Sequence, residues 1–426
     1  MGCAGGVRGS SWHKKTSTGM MVSAARSLSI HSMRKNLCSL MFTDVTVRPN
    51  GQMGNCCKSE SAVVTESEVR SLGARVWNSN AEFLRRKTEM LTMDRMPDSC
   101  RSCSENPGNN FFTMRNTWTD IHDPRSDDDI LHADNIRLIE LYLDTSCDLA
   151  CAYCGPNHSS TWAKQLGITE VKQSSSYTAA LLQSLYDYLG TVDWQRLRDR
   201  SERFIIRFLG GEPTYIPITL STMRNILTRV PHDALRIEIV SNLNTKPRVL
   251  DQYIALFDSA PEIDWTISVS IDDIGERCAA VRYGLDWDRV VTNLQALWRC
   301  ANIHLVLAPT VNMFNLPHLA DLYRHMRQLS QGHACRAFTY GMTPVYDNLS
   351  ISRLPVSMAH HLQSAAAEVE DARTRSELLH LRSLLGTQVD RSAMAGTLRT
   401  LRMVLSRPGH DYGRLFPHLA EIFAMV

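Results

Sequence analysis

Hydrophobic and polar positions along the chain fall into two alternating periods from Ile136 onward. Short apolar runs at Ile136 to Leu143, Phe204 to Leu209, Leu235 to Val240, Trp265 to Ile271, Ile303 to Pro309 and Cys335 to Tyr340 predict strands. The stretches between them, such as Tyr177 to Leu189 and Asp288 to Ala301, carry apolar residues at helical spacing. A repeated βα unit of this kind predicts an α/β fold with parallel strands. Six units are too few to close an eight-stranded barrel, so the expectation is an open, partial (β/α)6 TIM-like barrel over residues 135–345, with chemistry at the carboxyl ends of its strands. Beyond Pro355 the pattern is helical, over Ser357 to Glu370, Arg373 to Leu385 and Ala393 to Leu405, which predicts a helical carboxyl-terminal region spanning 346–426.

Upstream, Phe42 to Val47, the turn Arg48-Pro49-Asn50-Gly51 and Gln52 to Cys57 predict a β-hairpin that presents paired thiols. Val64 to Thr92 reads as one helix, ending before Met96-Pro97 and the pair Cys100-x2-Cys103. Together these make a small cysteine-rich domain over residues 37–110. A linker, Asn106 to Asp134, follows, and its acidic run Asp127 to Asp129 reads as a solvated connector.

Composition narrows the class without naming a substrate. The 426 residues, 43% hydrophobic and 21% charged with a formal net charge of +2, are those of an ordinary globular protein of two or three domains. No run approaches the roughly 20 apolar residues of a membrane helix, and no basic stripe points to nucleic acid. Seven of the twelve cysteines fall in tight, ordered spacings, which predicts metal-bound thiolates in a reducing cytoplasm rather than a disulfide framework. The first 43 residues are Ser-rich and basic with no acid. They read as a transit-type segment, an unstructured leader over 1–36, or sequence upstream of a true start at Met21 or Met33. Met1-Gly2-Cys3 hints at acylation, but Gly6 stands where Ser or Thr is expected.

The sharpest chemical signal is Cys147-x3-Cys151-Ala152-Tyr153-Cys154, directly after the first strand of the βα series. Three soft ligands on one loop suit a cubane iron-sulfur cluster with one iron left without a protein ligand. A zinc loop would want a fourth nearby ligand. Gly210-Gly211-Glu212-Pro213 follows the second strand and Ser241-Asn242-Leu243-Asn244 the third. The fourth leads into Ser270-Ile271-Asp272, Gly275-Glu276 and Arg282-Tyr283-Gly284, and the fifth ends at Thr310-Val311-Asn312. Taken singly, each polar residue reads equally well as a cap or a satisfied surface group. His158 reads as a structural residue more readily than as a group near the substrate, Tyr340 as facing the cavity or merely packing, and Cys278, Cys300 and Cys335 as small buried hydrophobes.

As a set, this order of motifs resembles the radical S-adenosylmethionine (radical SAM) superfamily. The resemblance implies a [4Fe-4S] cluster held by Cys147, Cys151 and Cys154, with the open iron chelated by S-adenosylmethionine. It further implies a cofactor shell of Tyr153, Gly210, Gly211, Glu212, Asn242, Ser270, Asp272, Arg282 and Val311. Glu212 is expected to receive the cofactor ammonium, and Arg282 to offer its guanidinium to a carboxylate.

Cys38-x12-Gly51-x4-Cys56 resembles the opening of the SPASM and Twitch auxiliary-cluster domains, with Cys100 and Cys103 completing four thiolates. Cys57 is the alternative to Cys56, and a structural zinc the alternative to iron-sulfur. In better-known relatives this module follows the barrel, whereas here it precedes it. The implied activity is reductive cleavage of S-adenosylmethionine to a 5'-deoxyadenosyl radical that takes hydrogen from substrate. The resemblance implies a flavodoxin- or ferredoxin-type reductant. A ribosomally made peptide is the first substrate class. The absence of a recognisable peptide-binding winged helix would leave peptide recognition to a separate protein. C–H functionalisation or epimerisation of a small molecule or nucleoside is the alternative. A non-enzymatic iron-sulfur or zinc protein is the third reading, and it has no use for the glycine and arginine motifs.

Overall fold

The computed structural model describes residues 38–57, 59–93, 96–100, 136–169, 174–345, 348–386 and 391–420. The leader over 1–36, Cys103 and the linker with Asp127 to Asp129 lie outside the described residues. Strands β1 (Asp44–Val47), β2 (Gln52–Gly54) and β3 (Ala62–Val63) come from the amino-terminal segment. β4 (Leu138–Tyr142) opens the βα series and a two-residue β5 (Ala150–Cys151) follows it. The series continues with β6 (Phe204–Leu209), β7 (Leu235–Ser241), β8 (Asp264–Val269), the short β9 (Arg282–Tyr283), β10 (Ile303–Leu307), the short β11 (Thr310–Val311), β12 (Ala337–Tyr340) and β13 (Thr343–Pro344).

Nine of these strands form one mostly parallel sheet in the order β12-β10-β8-β7-β6-β4-β1-β2-β3, so the fold is α/β. From β4 to β12 the spatial order is the chain order, without reversal, and every neighbouring pair is parallel. Two rows of the register are wholly apolar. One is Val45, Ile139, Ile206, Ile237, Trp265 and Ile303; the next is Val47, Leu141, Phe208, Ile239, Ile267 and Leu305. All twelve side chains are buried, and each contributes about 1.5–3 kcal/mol by leaving water.

The helices that connect the strands pack on this face. Tyr188, from the helix Ser175–Leu189, and Trp194 meet Phe204 at 6.4 and 5.7 Å between ring centroids. Phe257, from Pro247–Ser259, meets Trp265 at 4.8 Å. Tyr323, from Leu319–Leu329, meets Tyr340 at 5.2 Å, so Tyr340 belongs to this packing.

The row between those two projects to the opposite face and is polar: Thr46, Glu140, Arg207, Glu238, Thr266 and His304. Arg207 lies between two carboxylates, 2.7 Å from Glu140 Oε1 and 2.6 Å from Glu238 Oε2, and Thr46 donates to Glu140 Oε2 at 2.7 Å. A guanidinium flanked in this way satisfies charges that would otherwise be stranded on a half-buried surface.

The amino-terminal hairpin forms, with Thr46 opposite Gly54 and Gly51 at φ +78° in the turn. Its first strand starts two residues later than the pattern predicts, because Leu40–Thr43 make a helical turn. β1 also pairs in parallel with β4, Asp44 against Leu138, which makes the hairpin a continuation of the main sheet. The helix expected over Val64 to Thr92 is instead two helices, Glu66–Leu72 and Ala81–Met93, separated by a 3-10 turn at Gly73–Trp77. Gly73 at φ +53° ends the first, and the turn buries Trp77, whose indole N–H donates to Ser184 Oγ at 3.1 Å. The carboxyl-terminal region is helical over Ala359–Ala367, Ala372–His380 and Arg391–Leu405.

Removing the Arg207 charge leaves the buried Glu140 without its ion-pair partner and Glu238 with only the more distant Arg236, 3.8 Å away. Arg207→Met is therefore expected to lower the unfolding free energy by about 3–5 kcal/mol, read from urea denaturation. A loss below about 1 kcal/mol, the size of an exposed pair, would show that the row does not stabilise the sheet.

Candidate functional site

The loop after β4 carries Cys147, Cys151 and Cys154, and neighbouring groups hold its backbone at several points. The helix Ser160–Leu166 presents its first turn to the loop. Ser160 Oγ accepts from Cys147 N–H at 3.0 Å, Thr161 Oγ1 donates to the Cys147 carbonyl at 2.7 Å, and Ser159 Oγ donates to the Leu149 carbonyl at 2.6 Å. Trp162 Nε1 donates to the Cys151 carbonyl at 2.8 Å. β5 pairs antiparallel with β9, Cys151 against Arg282, which joins the loop to the segment after β8. Arg407 reaches in from the carboxyl-terminal region, donates to the Ala150 carbonyl at 2.7 Å and lies 4.3 Å from the centroid of the Trp162 ring.

Gly210 and Gly211 are glycines because Tyr142 and the cysteine loop leave no room for a side chain. Both have positive φ, +80° and +52°. A Cβ on Gly210 would fall 2.2 Å from the Tyr142 ring, and one on Gly211 would fall 2.4 Å from the Ser146 carbonyl oxygen. Those separations forbid any other residue. The Glu212 N–H donates to the same Ser146 carbonyl at 2.9 Å.

Glu212 itself is buried and already occupied. Its Oε1 accepts from Thr214 Oγ1 at 2.7 Å, Thr214 N–H at 3.1 Å and Ser241 Oγ at 2.8 Å, and its Oε2 accepts from Asn242 N–H at 2.7 Å. It ties the end of β6 to the end of β7. Burial raises its pKa, while these hydrogen bonds pull the other way. The side chains of Asn242 and Asn244 donate to Asp148, at 3.1 and 2.7 Å, and so fasten the cysteine loop to the turn after β7. Leu243 in that turn has φ +56°, a conformation that costs a branched residue energy and persists where its surroundings impose it.

Beneath the loop lies a buried ion pair. Arg282 Nη2 donates to Asp272 Oδ1 at 3.0 Å, and Nε lies 2.9 Å from Oδ2, off the line of a hydrogen bond. Asp272 also accepts from Tyr153 Oη at 2.6 Å and Thr310 N–H at 2.7 Å. The remaining arm of the guanidinium, Nη1, faces Cys151 Sγ at 3.8 Å. Burial pushes the Cys151 thiol up to about 12 and Arg282 pulls it back; burial also raises Cys147 and Cys154. The Leu149 N–H approaches Cys147 Sγ at 3.5 Å. Two of the three sulfurs thus receive N–H groups, an arrangement suited to thiolate ligands of a metal cluster. Of the remaining shell residues, Ser270 is half-buried and its N–H donates to the Ser241 carbonyl, while Val311 is buried on β11 beside Pro344.

A second group of thiols lies at the start of the sheet. Cys38, Cys56 and Cys100 belong to one buried cluster with Leu40, Met41, Phe42, Met90, Leu138 and Ile205. Cys57 is outside that cluster and half-buried, its carbonyl accepting from Arg48 Nη2 at 2.7 Å. Cys278, Cys300 and Cys335 are buried, Cys300 within electrostatic reach of Cys335 and Cys278 of Cys151, and burial raises each thiol pKa. Among the described residues, no group of three or more His, Cys, Asp or Glu converges on a single ion, and no helix is long and apolar enough to cross a membrane.

The residues that sequence reasoning missed are Asp148, Ser159 to Trp162 and Arg407. Asp148 stands between two of the cysteines and was open to notice; Arg407 is 257 residues from its acceptor and carries no local signal. Removing a charged hydrogen bond of this kind costs about 1.5–3 kcal/mol. In iron-free protein, Arg407→Ala is expected to speed the reaction of the loop thiols with Ellman's reagent about tenfold through easier local opening. Arg402→Ala, exposed on the preceding helix Arg391–Leu405, serves as the control, and equal rates in both would rule out the brace. No protein-family model matches the chain and no curated protein matches it.

Proposed function

We propose that the protein is a radical SAM enzyme in which Cys147, Cys151 and Cys154 hold a [4Fe-4S] cluster. The observation that carries this reading is the contact between the cysteine loop and Gly211, where only glycine fits because the loop backbone at Asp144 to Ser146 lies against it, beside Gly210, which the Tyr142 side chain restricts in the same way. A thiol loop serving as an ordinary turn has no need of that neighbour. When bound, such a cluster supplies one electron to the sulfonium of S-adenosylmethionine, releasing methionine and a 5'-deoxyadenosyl radical that takes a hydrogen atom from substrate.

The chain's own residues divide the remaining work. Glu212, Asn242, Asp272 and Arg282 have their polar atoms engaged with one another and with the loop, so they fix the frame in which the cofactor sits. The backbone at Gly210 and Gly211, together with Tyr153, Ser270 and Val311, is left to line the cofactor itself. Arg282 holds positive charge against the Cys151 sulfur, which suits a site that must accept an electron.

The unreversed strand order with helices on one face supports a partial (β/α)6 barrel, since a doubly wound sheet reverses its order and takes helices on both faces. The buried grouping of Cys38, Cys56 and Cys100 supports an auxiliary cluster, completed by Cys103. A flavodoxin- or ferredoxin-type reductant in the cytoplasm would feed the site, and a ribosomally made peptide is the favoured substrate class.

Anaerobic reconstitution is expected to load about eight irons per chain, about four at each site. Reduced protein with S-adenosylmethionine is then expected to release 5'-deoxyadenosine. Cys151→Ala should abolish that release. Cys56→Ala should lower iron by about four while leaving the release in place. Retained cleavage in Cys151→Ala would overturn the catalytic assignment, and about four irons with one zinc would overturn the auxiliary cluster.

A further inference from the structure

The sheet face opposite the helices is open at one side and closed at the other. On β7 and β10 its residues Arg236, Glu238, Val240, His304 and Val306 are half-buried. On β1 and β4 its residues Asp44, Thr46, Leu138 and Glu140 are buried. The apolar cluster around Leu40, Met41 and Phe42 packs on Leu138 and Ile205 and covers that end. The polar face therefore runs inward from β10 and ends at Asp44.

Every other acid on this face has a cation. Glu140 and Glu238 share Arg207, and Asp264 is paired with Arg236 at 2.6 Å and with Arg336. Arg48, at the far end of β1, gives its guanidinium to Ser61 Oγ and the Cys57 carbonyl. Asp44 is 2% exposed, and neither of its carboxylate oxygens has a hydrogen-bond partner. Its own-strand neighbour Val45 offers an amide close enough to be felt but outside hydrogen-bond geometry. Burial first, and then the charge of Glu140, hold its carboxyl well above the usual range, against a smaller pull from the charge of Arg207, which makes no hydrogen bond to it. Protonation does not complete the site, because the second carboxyl oxygen would still have no donor. Two carboxylates also offer too few ligands for a protein-held divalent cation, which takes six or more oxygens. What satisfies the position is a group with several N–H donors and a positive charge.

The distance from this anchor to the cysteine loop sets the shape of the ligand. Tyr142 is four residues beyond Leu138 on β4, about 13 Å along the strand at roughly 3.3 Å per residue, and its ring lies against Gly210. We propose that Asp44, backed by Glu140, receives the primary ammonium of a flexible aliphatic amine, such as a lysyl side chain, that enters along the polar face of the sheet. As a binding site this stands independently; as the anchor of a radical substrate it rests on the function proposed above.

The probe is n-hexylammonium, with 1-hexanol as its uncharged counterpart, and binding to the iron-free full chain is followed by saturation-transfer NMR. The ammonium is expected to bind at least about tenfold more tightly than the alcohol, as a charge-assisted contact requires. Asp44→Asn, an isosteric change, should remove that preference, and Asp44→Leu should do the same if the first variant fails to fold. Glu238→Gln, at an acid already paired, should retain the preference. Equal affinity for amine and alcohol, or an unchanged preference in a folded Asp44 variant, would overturn the site. Failure of amine binding in a chain that still releases 5'-deoxyadenosine refutes the anchor alone. Amine binding without cleavage of S-adenosylmethionine refutes the radical function alone.

Discussion

The buried pair of Arg282 and Asp272 is the interaction on which the geometry of the site depends. Taking two charges out of water costs several kcal/mol each, and their attraction offsets this only when the remaining polar atoms are also bonded. On the carboxylate they are: Asp272 accepts from Tyr153, Thr310 and Arg282 together. Those donors come from the cysteine loop, from β11 and from β9, so one carboxylate fixes three segments that are far apart in sequence. Arg282 then has one arm left for the Cys151 sulfur. A neutral thiol gains little from a guanidinium in that position, whereas a metal-bound thiolate gains a charge-assisted contact in a medium of low dielectric.

The sheet supplies the second constraint, through the difference between its faces. Its apolar rows bury against helices, which leaves the opposite rows to be satisfied by each other. Arg207 between Glu140 and Glu238, and Asp264 between Arg236 and Arg336, do this with long side chains that span neighbouring strands. Such a face is stable in a polar, partly wet setting and would be costly under a second layer of helices. One-sided helix cover and an ordered ladder of ions are therefore two consequences of the same sequence pattern.

Much of this was legible in the chain because it is local. Six apolar runs gave six strands, and the spacing of Cys147, Cys151 and Cys154 placed them on one loop. The Gly210-Gly211 pair could be noticed, but the reason for it could not: the forbidding atoms belong to Tyr142 and Ser146, some 65 residues earlier. Glu212 is the instructive difference. As an isolated carboxylate it reads as a receptor for a ligand cation, yet Thr214, Ser241 and Asn242 fill it from within the chain. The pairing of β1 with β4, the break at Gly73 and the reach of Arg407 depend on packing partners that no window of sequence contains.

The join between β1 and β4 gives the amino-terminal cysteines a physical relation to the Cys147–Cys154 loop. β4 ends in Tyr142, which meets Gly210, and begins at Leu138, which belongs to the apolar cluster around Cys38, Cys56 and Cys100. A single five-residue strand thus separates the two thiol groups. A strand paired on both sides within a large sheet is among the stiffest elements a protein has, so the spacing between the groups is set by backbone hydrogen bonds rather than by a flexible linker. Placing the cysteine-rich module before the βα series in the chain is compatible with this, because its parallel pairing with β4 attaches it at the sheet edge without a crossing connection. The order of modules in sequence then matters less than the strand that both of them share.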